Sequence, residues 1–153
     1  MKYICHRANL NGKDLDRENN PSSIIECLNL GFDVEIDVRL IKDKWFLGHD
    51  EPQYEVGLNF LKNKNLWIHA KTIETCAALI DYYDINVFFH DKDDMTITSR
   101  GWIWVYPGKP ICHRNCIAVL PESVQNWNIS KASGICTDYV LDYISNKRKI
   151  LLK

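Results

Sequence analysis

The chain has 153 residues, with nineteen Lys and Arg against twenty Asp and Glu, a formal net charge of −1. That balance argues against a sequence-independent nucleic-acid binder, which needs a basic face to meet phosphates. Hydrophobic residues make up 46% of the chain, with five Trp, seven Tyr and five Phe; this excludes global disorder, and no apolar run approaches the roughly 20 residues of a membrane span.

In chain order, Tyr3 to Arg7 is short, apolar and suited to a strand. Ser22-Ser23 then reads as a helix cap before Ile24, Ile25, Cys27, Leu28 and Leu30, with Gly31 closing the helix. Val34 to Leu40 alternates at period 2, placing Val34, Ile36, Val38 and Leu40 on one face and Glu35, Asp37 and Arg39 on the other. Asp43-Lys44 turns the chain into a second strand, Trp45 to Gly48. Leu66 to Ala70 is a strand, and Ile73, Cys76, Ala77 and Ile80 follow at helical spacing. Ile85 to Phe89 is almost wholly apolar, as in a strand buried on both faces. Ile103 to Tyr106, Cys116 to Leu120 and Gly134 to Thr137 complete the strands, and Val140 to Lys147 is expected to close the chain as a helix.

Strands alternating with helices over the first two-thirds predict an α/β fold with a parallel sheet. A full (β/α)₈ barrel takes about 250 residues. A chain of 153 residues is therefore expected to form a compact TIM-like barrel with helices reduced or missing in its second half. No repeat or Pro/Gly/Ser linker divides it, so residues 1–153 are expected to be one domain. Met1 to Arg7 lacks the apolar stretch of a secretory signal. A cytoplasmic setting with six reduced cysteines is the corresponding expectation.

Polar side chains of chemical interest crowd the first third. His6-Arg7 ends the first strand, Glu18-Asn19 lies in the next loop, and His49-Asp50 ends the hairpin behind Glu35 and Asp37. Carboxylates at i and i+2 of a strand stand about 7 Å apart on one face. Both can reach one hard cation such as Mg²⁺ or Ca²⁺, and without a cation or donors their burial is costly. In a parallel barrel the strand C-termini converge on one mouth, and His6, Asp37, His49 and Lys71 all fall at or near such ends. Two histidines beside a carboxylate pair suggest acid/base chemistry near a metal. His90, at the end of a later strand, is a further candidate to touch substrate, or belongs to a solvated acidic turn with Asp91, Asp93 and Asp94. Trp102, Trp104 and Tyr106 read as packing residues. Cys112-His113-Arg114-Asn115-Cys116 lacks the second ligand pair a zinc site needs.

His6-Arg7, Glu18-Asn19, Glu35-Ile36-Asp37-Val38, Asp43 and Gly48-His49-Asp50, in this order, resemble the motifs of the glycerophosphodiester phosphodiesterase family. His69-Ala70-Lys71 is similar to the family's Glu-x-Lys strand, and Gly134-Ile135-Cys136-Thr137-Asp138 to its last strand. The resemblance implies a TIM-like barrel, a divalent metal (Mg, Mn or Ca) and cleavage of a small or lipid-derived phosphodiester. It implies His6 and His49 as the acid/base pair, and Glu35, Asp37 and His69 at the metal. Arg7 and Lys71 would then neutralise the phosphate, with Glu18 and Asn19 lining or bracing the site. Three positions depart from the pattern: Ala8 stands for Gly, Asn20 for Thr, and His69 for a metal-binding Glu. The last change removes one negative charge and favours Mn²⁺, Co²⁺ or Zn²⁺ over Ca²⁺. A catalytically inactive phosphate- or partner-binding barrel is the competing expectation, and a sugar-phosphate isomerase or lyase a third.

Overall fold

The computed structural model describes residues 1–146. Its elements are β1 (Lys2–His6), α1 (Pro21–Asn29), β2 (Asp33–Ile41), β3 (Lys44–Leu47), β4 (Tyr54–Val56), α2 (Leu58–Leu61), β5 (Leu66–Ala70), α3 (Ile73–Ile80), β6 (Val87–Phe89), β7 (Met95–Ile97), β8 (Ile103–Val105), β9 (Cys116–Val119), β10 (Gly134–Thr137) and α4 (Val140–Ile144). The helix expected from Val140 to Lys147 ends at Ile144, and Lys147 lies outside the described residues. Among those residues no helix is long and apolar enough to cross a membrane.

All ten strands join one mixed sheet. Seven run parallel in the order β6-β5-β2-β1-β10-β9-β8, β7 lies antiparallel on β8, and β3 and β4 fold back antiparallel from the far half of β2. This half-barrel replaces the TIM-like (β/α) barrel expected from sequence. Strands and helices do not alternate around it: β2 runs into a hairpin, β6 into β7, and β8 into the irregular connector 106–115. Such connectors are shorter than the dozen or more residues a helical crossover takes. The ladder does not close either. Between β6 and the segment of β7 and Ser99, hydroxyls take the place of a regular ladder. Beside the backbone bond from Ser99 N to Val87 O at 2.8 Å, Ser99 Oγ accepts from Val87 N at 3.0 Å and donates to Ile85 O at 3.0 Å, and Thr96 Oγ1 donates to Phe89 O at 3.0 Å.

The period-2 reading of β2 separates two kinds of interior. Val34, Ile36 and Val38 face outward into a core with Ile24 and Cys27 of α1 and Cys76 and Leu79 of α3. The concave side is filled by Ile4, Trp67, Phe88, Trp104, Ile117 and Cys136, one from each parallel strand except β2, whose inward positions are carboxylates. Trp102, Trp104 and Tyr106 also turn inward, and the Trp104 and Phe88 rings pack at 4.8 Å. Two helices differ from expectation in detail. α1 starts earlier, with Asn20 Oδ1 accepting from Ser22 N at 2.9 Å and Pro21 in its first turn, where a missing N–H costs nothing. α3 buries Thr75, Cys76 and Leu79 and leaves Ile73 and Ile80 exposed. The reason is polar: Thr75 Oγ1 accepts from Leu40 N at 3.0 Å, which rotates the helix toward β2.

Candidate functional site

At the C-terminal ends of the parallel strands, His6, Arg7, Glu35, His49, His69 and His90 line one cleft of about 190 Å³, with Trp104, Tyr106 and Leu120 among its other walls. Four of the chain's five histidines thus converge on one place. Pairing sets the lateral order: His6 is level with Glu35, and Asp37 with His69.

Asp37 is fully buried and organises the floor. Its Oδ2 lies 3.1 Å from Arg7 Nε and accepts from Asn19 Nδ2 at 3.0 Å. Its Oδ1 meets His69 Nδ1 at 3.1 Å and Lys71 Nζ at 3.2 Å. Asn19 Oδ1 in turn accepts from Asp37 N at 2.8 Å, so this residue braces the site. Burial pushes the Asp37 carboxyl up, but the His69 hydrogen bond and the Arg7 and Lys71 charges overcome it and hold its pKa far below the carboxylate range.

Glu35 is the opposite case. It is equally deep, yet among the described residues the one hydrogen bond to it comes from Arg7 N, to Oε2 at 3.2 Å, with His6 Nε2 at 4.0 Å. Burial and the neighbouring Asp37 charge raise its pKa. Arg7 reaches this position on a strained turn. Arg7 and Ala8 have φ of 51° and 69°, and Asn9 N closes the turn on His6 O at 2.9 Å. Two consecutive non-glycine residues at positive φ store strain of a kind that gathers at functional sites. The position of Ala8, where the resembled family has Gly, is one that glycine adopts more easily.

The two candidate acid/base groups differ in setting. His6 Nδ1 bonds Asp138 Oδ1 at 2.8 Å, and Asn9 Nδ2 donates to the same oxygen at 2.8 Å. Burial lowers the His6 pKa, but the Asp138 bond and the Glu35 charge outweigh that and raise it above 6.5. His49 is more open, with Nδ1 on Asp50 Oδ1 at 2.7 Å. Burial, with the Arg7 and Lys71 charges, lowers its pKa below 6.5 against the pull of Asp37 and Asp50. Gly48 delivers His49 to the cleft at φ 145°, where an added Cβ would sit 2.0 Å from Glu51 O. Gly48→Ala is therefore expected to displace the His49 loop and to destabilise the fold by about 1–3 kcal/mol. Thermal melts and the turnover of the variant check this.

The structure brings together every residue singled out from sequence, with two qualifications. Lys71 does not line the cleft; its ammonium is spent on Asp37. Glu18 sits behind Arg7, accepting from Arg7 Nη1 and Asn9 Nδ2, each at 3.3 Å. Asp138, Asn9 and Tyr106 receive no site role from the sequence. Asp138 follows the last strand directly, and its position at a strand end was the available signal. His90 and Tyr106 stack at 3.9 Å, and both His90 Nδ1 and the Tyr106 hydroxyl are buried without a partner among the described residues.

Ligand atoms of Glu35, Asp37 and His69 all lie within 4.8 Å of one another, a span that ligand distances of about 2.0–2.6 Å can bridge. Here Glu18, Glu35, Asp37 and Asp138 face the fixed cations Arg7 and Lys71, and Glu35 keeps an oxygen without a donor among the described residues. The residues present therefore fit a divalent cation. Compared with protein-family models, with curated proteins and with solved structures, the chain matches none, and its likeness to the glycerophosphodiester phosphodiesterases rests on the motifs alone.

Proposed function

We propose that the chain is a divalent-cation-dependent phosphodiesterase acting on a small or lipid-derived phosphodiester of glycerol type. The observation that carries this reading is the convergence of His6 and His49 on one cleft above the buried Glu35–Asp37 pair, with Arg7 beside them. Phosphoryl transfer needs charge neutralisation and positioned proton carriers more than covalent chemistry. Glu35, Asp37 and His69 would hold the cation, which supplies charge stabilisation to the phosphoryl oxygens when bound. Arg7 meets the phosphate from the floor. Lys71 acts through Asp37, keeping that carboxylate ionised and fixed. His49, held neutral, takes a proton from the water that attacks phosphorus, and His6, held charged by Asp138, gives one to the alcohol oxygen as its bond to phosphorus breaks. Free cysteines at all six positions support a reducing, cytoplasmic setting as part of the same proposal.

The opposed environments give a pH expectation with a definite sign. The raised His6 pKa keeps that ring charged above 6.5, and the lowered His49 pKa frees that ring below 6.5. Hydrolysis of a glycerophosphodiester, whose leaving alcohol needs a proton, should therefore follow a bell with a broad top straddling 6.5. Its acid limb belongs to His49 and its alkaline limb to His6. A profile that climbs steadily through this range would contradict the assignment.

One observation favours a second reading, an inactive phosphate- or partner-binding domain. Both oxygens of Asp37 are already taken by protein donors, so that part of the charge network closes without a metal. Phosphorus NMR separates the possibilities: hydrolysis yields a monoester, a lyase a cyclic phosphate, and a binding domain neither.

A further inference from the structure

The inward rows of the sheet have a second end. Two residues before Ile4, Glu35, His69, Phe88 and Trp104 stand Lys2, Asp33, Trp67, Asn86 and Trp102. Alternation puts these on the same concave side, at the N-terminal ends of the strands. With Lys64 and Arg100 they enclose a cleft of about 220 Å³, separated from the histidine cleft by the packed layer of Ile4, Phe88, Trp104 and Ile117.

Its chemistry is unlike that of the other end. Lys2, Lys64 and Arg100 face one carboxylate, Asp33. That carboxylate is occupied, since its Oδ2 accepts from Lys2 Nζ at 2.9 Å and from Trp67 Nε1 at 3.0 Å. Lys2 Nζ also lies 5.9 Å from both the Trp67 and Trp102 rings. Lys64 and Arg100 are exposed and make no ion pair among the described residues. Asn86 is only 5% exposed, and its Oδ1 has no hydrogen-bond partner among the described residues. A buried amide oxygen without a donor destabilises a fold, and such groups call for a specific reason. A partly exposed indole, Trp102, borders the same space.

We propose that this cleft binds a free mononucleotide, a flat heteroaromatic ring with N–H donors carrying a phosphate. The ring lies against Trp102, as bases stack on aromatic side chains. A turn of the Asn86 amide toward the cleft would let a base N–H give its Oδ1 the donor it lacks. The phosphate, with a charge near −2, meets Lys64 and Arg100, the latter offering the planar fork that suits phosphate oxygens. Inorganic phosphate alone would leave Asn86 and Trp102 unused, and an uncharged nucleoside would leave the two cations unused. The site is independent of the phosphodiesterase reading, because it shares no residue with the histidine cleft.

The test is titration of the ¹⁵N-labelled full chain with AMP, inorganic phosphate and adenosine in the presence of chelator. With AMP the Trp67 and Trp102 indole N–H signals and the Asn86 side-chain amide should shift saturably, while Trp104, on the other cleft, stays in place. Phosphate and adenosine should each bind at least about tenfold more weakly. Lys64→Glu/Arg100→Glu, at exposed positions, should keep the melting temperature and weaken AMP at least about tenfold. Asn86→Leu should hold or raise the melting temperature while weakening AMP, since it removes an unpaired buried acceptor. The proposal is overturned by any of three results: no saturable Trp102 shift up to about 10 mM AMP, equal affinity for inorganic phosphate, or shifts centred on Trp104.

Discussion

Glu35→Gln is expected to keep or raise the melting temperature while cutting hydrolysis by orders of magnitude, whereas Asp37→Ala should lose both stability and activity. The two carboxylates stand two residues apart on one face of β2, and sequence alone treats them as equivalent ligands. Their partners make them different. Glu35 is a buried carboxylate with one hydrogen bond, its pKa raised by burial and by Asp37. A raised carboxyl pKa means that the ionised form weakens the fold at neutral pH, so a neutral side chain of the same shape removes a penalty. What it also removes is the oxygen left open for a cation, and turnover should fall by about 10²–10³-fold. Asp37→Ala instead strands Arg7, Lys71, Asn19 and His69 around an empty floor. Breaking a buried ion pair by removing one partner costs about 3 kcal/mol or more, equivalent to a fall of roughly 6–12 °C in a chain of this length. Calorimetric melts beside metal titrations of both variants check the pair. A Glu35→Gln protein that melts well below wild type, or binds metal as tightly, would contradict this division of roles.

His6→Ala should slow hydrolysis by about 10²–10⁴-fold, the usual worth of a positioned proton donor. It should also erase the alkaline limb of the pH profile, leaving a curve that rises with His49 deprotonation and stays flat. Asp138→Asn should act in the same direction. It weakens the bond that keeps His6 charged, so the alkaline limb should move to lower pH while the acid limb stays. Leaving groups with a low pKa need little proton donation, so a p-nitrophenyl ester should lose less than a glycerol ester in both variants. Equal losses on the two esters would remove His6 from the donor role.

Much of the site was legible because strand periodicity is a local property. Glu35 and Asp37 fall on the polar side of a strict alternation, and His6, Lys71 and His90 fall at or just beyond strand ends. Convergence of these ends needs only that the strands be parallel. The closure of the sheet was not legible. Whether β8 could meet β6 depends on connector lengths and on single hydroxyls such as Ser99, which carry no periodic signal. Long-range partners were hidden for the same reason. Asp138 lies 132 residues from His6, and Asn9 reads as one more loop residue until the strained turn at Arg7–Ala8 brings it to Asp138. The α3 face was misread because Thr75, polar by composition, earns its burial from a bond to the Leu40 backbone that apolar spacing cannot show.

Phosphorus NMR of a glycerophosphodiester incubated with chelator-stripped protein, before and after Mn²⁺ or Mg²⁺ is restored, tests the central reading most directly. The expected result is no reaction without metal and, with it, conversion of the diester resonance to a monoester in wild type but not in Glu35→Gln or His6→Ala. An unchanged diester resonance under every metal, with the protein folded and the ion bound, would contradict the phosphodiesterase reading and leave the cleft as a binding site.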